Sequence, residues 1–140
     1  MRIFNTAALS LLVTLAIGSS LKAELPPSAY ADMQSKAPEM VAFRVMQLNA
    51  TVDSYGNQSV TIYGKITEVR RSKAHLRVGQ TIKVTYSIRG QVLAGPSSCP
   101  LLMPNQVYGS YLKWGGNSYV PAAMGRSFIK INQPVNVTTR

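Results

Sequence analysis

The chain has 140 residues, with 15 Lys and Arg against five Asp and Glu, a net charge of +10, one histidine and one cysteine. That length suits one domain around a single core. The inventory excludes an internal disulfide and leaves no spaced His or Cys pair to hold a metal ion, so neither metal nor cofactor is expected.

Residues 1–23 have the parts of an export signal in order: Arg2, an apolar run from Ala7 to Ile17 broken by Ser10 and Thr14, small Gly18, Ser19 and Ser20, then Leu21-Lys22-Ala23. Cleavage is expected after Ala23, with Ser20 as the alternative. The apolar run is about half the roughly 20 residues of a membrane-spanning helix, and no later run reaches that length. The expected location is therefore secreted or periplasmic, with no transmembrane segment after cleavage. Arg2 and Lys22 leave with the signal, so 13 basic residues face all five acids and the net charge falls from +10 to +8. A surface of that sign favours anionic polymers such as acidic polysaccharide or lipopolysaccharide. Export sets cellular nucleic acid aside as a partner.

Residues 24–39 read as an N-terminal segment. Pro26 and Pro27 interrupt regular structure, and Ser28 to Lys36 follows as a short helix capped by Ser28. Tyr30, Met33 and Ala37 share its inner face and Pro38 stops it. From Met40 to Asp53 the apolar period becomes two. Val41, Phe43 and Val45 are odd; Met46, Leu48, Ala50 and Val52 are even. A parity slip inside one long strand predicts a β-bulge at Val45/Met46.

Ser54-Tyr55-Gly56-Asn57 reads as a turn. The next strand places Val60, Ile62, Gly64 and Ile66 inward, with Thr61, Tyr63, Lys65 and Thr67 outward. Arg70 to Lys73 is expected to be an exposed basic connection. In the strand after it, Ile82, Val84, Tyr86 and Ile88 face in, while Thr81, Lys83, Thr85 and Ser87 face out. Arg89 to Asn105 is irregular, with two glycines and three prolines. Val107 to Trp114 and Ser118 to Ala122 form a hairpin about Gly115-Gly116-Asn117, and Ser127 to Ile131 adds a short strand. The pattern predicts an all-β domain over 40–140: a five-stranded OB-fold-like Greek-key barrel whose closure removes exposed edges. A small open sandwich is the alternative.

Gly64-Lys65-Ile66-Thr67-Glu68-Val69, Leu76 to Val84, Cys99-Pro100-Leu101-Leu102 and Gln106 to Leu112 follow one another here. In that order they resemble the netrin-like and tissue-inhibitor-of-metalloproteinase OB-fold domains. The resemblance implies a barrel. It also raises inhibition of a secreted hydrolase as an alternative function. The inhibitors' N-terminal cysteine, whose amine and carbonyl bind the enzyme's zinc, is missing here, as are the family's disulfides. The fold is carried over and the inhibitory mechanism is not.

An active site needs convergent titratable groups. His75 lies between cations with Glu68 as its nearest acid in sequence, and Cys99 lacks a visible third partner. A Cys99–His75 nucleophilic pair would make a small cysteine enzyme, but a non-catalytic module that contacts a protein or an anionic envelope polymer is expected. The basic segment carries the binding expectation: Lys65, Arg70, Arg71, Lys73, Arg77 and Lys83, with Tyr63 available to stack. Around the last hairpin, Tyr108 and Trp114 share the parity of Leu112 and point to the core; Tyr111 has the other parity and is a candidate contact. Asn49, Asn57 and Asn136 sit in formal glycosylation sequons.

Overall fold

The computed structural model describes residues 24–91 and 95–132. Residues 1–23, read from the sequence as an export signal, and Asn136 lie outside the described residues. Helix α1 (Pro27–Lys36) begins one residue earlier than the Ser28 to Lys36 expected from the sequence. Its N-cap is Pro26 and no side chain caps it, so the role expected of Ser28 is not used. Proline suits the first helical position because its missing N–H would have had no intrahelical partner. No helix among the described residues is long and apolar enough to cross a membrane.

β1 (Glu39–Val52) is the long bent strand. Its register on β2 (Gln58–Ser72) shifts at Met40/Val41, Ala42/Phe43 and Val45/Gln47. The last shift is the bulge that the parity slip predicts, and each one sharpens the local twist. The bend lets one strand serve two neighbours. Glu39–Arg44 pairs with β4 (Val107–Trp114), whereas the whole of β1 runs along β2. β2 is antiparallel to β3 (Thr81–Ile88), and β3 meets β5 (Tyr119–Pro121) in parallel at Val84 and Tyr119. β5 returns antiparallel to β4. The order β1-β2-β3-β5-β4 closes through β1–β4 into a five-stranded barrel of OB-fold type, and β6 (Phe128–Lys130) pairs with the start of β4.

Phe43, Val45, Ile62, Ile66, Val84 and Leu112 fill the barrel. Gly64 is a packing requirement, because a Cβ there would stand 2.5 Å from Cδ2 of the Phe43 ring. Residues 97–105, between β3 and β4, plug the barrel. Cys99 and Leu102 turn inward, the Tyr86 hydroxyl donates to the Pro100 carbonyl at 2.9 Å, and the Asn105 N–H donates to the Val45 carbonyl at 2.8 Å.

The expected loop at Arg70–Lys73 is corrected. Arg70 and Arg71 belong to β2, and Arg71 lies opposite Met40. The curling β1 supplies ladder partners that far. An irregularity between the pairs Phe43–Ile66 and Ala42–Glu68 breaks the alternation there and hides the strand. The connection proper spans residues 73–80. It folds back where the Gly79 N–H, at φ +87°, donates to the Ile66 carbonyl.

Candidate anion-binding face

Tyr63 on β2 lies directly opposite Lys83 on β3, and Lys65 lies opposite Thr81 two pairs along. All four are exposed. Pairing fixes this, because opposite residues of an antiparallel ladder point to the same side. Their neighbours on that side are Thr61, Thr67 and Thr85, so the outward rows of Ser59–Thr67 and Thr81–Ser87 contain no acid. Lys113 joins the outer surface from β4, opposite Val120 on β5. The sequence reading passed over it, although its parity opposite to buried Leu112 is the signal that finds it. Arg77 is exposed in the 73–80 connection, whose end is pinned to Ile66 beside Lys65.

The acids lie elsewhere. Asp32 pairs with Lys36 at 2.8 Å, and Glu68 pairs with Arg70 at 2.9 Å. Glu39 is buried and accepts from the Ser72 hydroxyl and from the Ala74 N–H at 3.0 Å. Asp53 closes the β1–β2 turn by accepting from the N–H groups of Tyr55 and Asn57. The Asn57 side chain, donating to that carboxylate, holds it below the ordinary range. Glu24 lines a cavity of about 570 Å³ with Gln34, Ser97 and Arg126.

The six cations picked from the sequence therefore separate. Lys65 and Lys83 share one outward face, and Arg77 is exposed in the connection that leads into β3. Lys73 is exposed at the far side of the connection, where its N–H donates to the Pro38 carbonyl. Arg70 is held by Glu68. The Arg71 guanidinium donates to the carbonyls of Ala37 and Gln34, both at 2.9 Å, and so fastens the end of α1.

The two aromatic candidates separate as well. Tyr63 stands on the basic face. Tyr111 lines a different groove of about 180 Å³ on β1, β4 and β6, with Met40, Ala42, Gly109 and Ile129, and Glu68 and Arg70 at its rim. Tyr108 is core, as its parity predicts. Trp114 is not, being 59% exposed with its ring edge-on to Tyr119 at 5.0 Å. Its parity points inward, but it ends β4 beyond the last layer that the barrel encloses.

Cys99 is buried, and its thiol donates to the Met124 carbonyl at 3.0 Å. Burial pushes that thiol up to about 12. Burial also pushes the Tyr86 phenol far above its ordinary range, and it raises Tyr119, with Glu39 adding to that shift. His75 stands exposed in the 73–80 connection at φ +57°. Among the described residues no three His, Cys, Asp or Glu side chains converge as a metal site. No protein-family model, no curated protein and no solved structure matches the chain.

Proposed function

We propose that the protein is an exported, non-catalytic binding module of netrin-like kind whose β2–β3 face holds an anionic polymer, an acidic polysaccharide or lipopolysaccharide. The observation that carries this reading is the Tyr63–Lys83 pair with Lys65 beside it, on outward rows that hold no acid. Lys65 and Lys83 supply positive charge at the polymer's anionic groups, with Arg77 and Lys113 extending the field. Tyr63 offers a ring face to the apolar side of a sugar. Exposed cations of this kind attract over a range set by ionic strength. A buried thiol that keeps its proton well above neutral pH is a poor nucleophile, which supports a binding role over a cysteine-dependent reaction.

The test is retention on a heparin or lipopolysaccharide resin. Each exposed charge contact is worth up to about 1 kcal/mol. Reversing two of them in Lys65→Glu/Lys83→Glu weakens binding by about tenfold or more. That variant elutes at clearly lower salt than the unaltered protein, while the equivalent reversal of Arg70 and Arg71 has a smaller effect on retention. Equal retention of Lys65→Glu/Lys83→Glu and the unaltered protein rejects the reading.

A further inference from the structure

Past Val45, among the described residues, β1 has a neighbour on one side only. Its ladder with β4 ends at the Arg44–Val107 pair, and Val45 exchanges backbone hydrogen bonds with Asn105 and Gln106 of the plug segment. From Met46 to Val52 the strand pairs with β2, and among the described residues nothing pairs with its other edge. The Asp53 N–H donates to the Asn57 carbonyl. By alternation, the N–H and C=O groups of Leu48, Ala50 and Val52 turn away from β2 and out of the sheet.

Native sheets guard such an edge with lysine, proline or a very short strand. This edge has none of them. Leu48, Asn49, Ala50, Thr51 and Val52 are uncharged, and no Lys or Arg lies between Arg44 and Lys65. On an exported chain with a net charge of +8, two copies repel one another over most approaches, and this hairpin offers one without that cost. The strand is also complementary to itself. Turned antiparallel about Ala50, it sets Leu48 against Val52 and Ala50 against Ala50 on the apolar side, with Asn49 against Thr51 on the polar side. The apolar row is open to solvent at its end, where Val52 is 65% exposed.

We infer that a second copy of this chain occupies this edge, β1 against β1, with the two-fold axis at Ala50. The two barrels then share one continuous sheet, β3-β2-β1 of one copy followed by β1-β2-β3 of the other. The pairs Leu48–Val52, Ala50–Ala50 and Val52–Leu48 exchange the free backbone hydrogen bonds, and an isologous interface of this kind closes as a dimer.

Sedimentation of the exported chain across the micromolar range tests this. The unaltered protein is expected to sediment as a dimer and to remain one at high salt. Ala50→Pro removes an N–H that β2 does not use, so it is expected to give a folded monomer with the same far-ultraviolet circular dichroism. Ala50→Lys leaves the backbone alone and sets like charges on the axis, so it too is expected to be monomeric. Mixing it with Ala50→Glu is expected to restore a dimer. A monomer throughout the range overturns the inference, as does a dimer that both Ala50→Pro and Ala50→Lys leave intact. Lys65→Glu/Lys83→Glu keeps the dimer while losing the polymer, so the failure of either reading is seen separately.

Discussion

Cys99 shows how burial decides chemistry at the residue scale. The count of one cysteine already implied a free thiol, and alternation was no help in a segment that has none. Its inward position comes from the plug, where Cys99 and Leu102 both join the barrel core. The folded protein keeps the thiol proton that the unfolded chain releases from 9.0 upward, up to about 12. The folded pKa is thus the higher one. Stability from this group is full below pH 9 and is lost as pH rises towards the folded value. A thiol reagent at pH 8 is expected to label Cys99 only after denaturant is added, and the thermal midpoint is expected to fall above pH 9. Rapid labelling of the native protein would contradict this. The arginines teach the reverse lesson. Arg70 and Arg71 look alike in sequence, yet one meets Glu68 two residues away and the other meets carbonyls more than thirty residues away. No local pattern encodes the second partner.

At the scale of elements, what was legible was whatever alternation writes directly. The parity slip at Val45/Met46 is a true register shift, and β3 keeps Ile82 and Val84 buried as its pattern predicts. The last five residues of β2, from Glu68 to Ser72, were illegible because an irregularity past Ile66 breaks the period where charged side chains begin. That extension matters for α1, which no side chain caps at its start and which Arg71 secures at its end. Tyr30 holds the helix from the other side, where its hydroxyl accepts from the Ser97 N–H at 3.0 Å. Charge-assisted hydrogen bonds to helix carbonyls are worth about 1–2 kcal/mol on a partly screened surface. Arg71→Ala is therefore expected to destabilise the protein by about that amount. Amide exchange should rise in α1 and the 73–80 connection while β3 and β4 keep their protection. Unchanged exchange in α1 would show that Tyr30 suffices.

For the whole molecule, composition announced the excess of positive charge but not its arrangement. Four of the five acids, Asp32, Glu39, Asp53 and Glu68, take up a local task in an ion pair, a turn or a buried bond, and none of the five stands on the outward rows of Ser59–Thr67 and Thr81–Ser87. The candidate site was half legible for that reason. Lys65, Lys83 and Tyr63 fell out of strand alternation, and the parity of Lys113 opposite to Leu112 signals it too, whereas setting aside Arg70 and Arg71 required their folded contacts with Glu68, Ala37 and Gln34. The dimer brings two such surfaces onto one sheet, and a polymer long enough to reach both gains by effective concentration without any new contact.

The most direct measurement is an amide and side-chain chemical-shift map during titration with a defined acidic oligosaccharide. The account predicts shifts at Tyr63, Lys65 and Lys83, weaker ones at Arg77 and Lys113, and their disappearance in high salt. Shifts centred on the Tyr111 groove or on Arg70 and Arg71, or none at all at low salt, would contradict it.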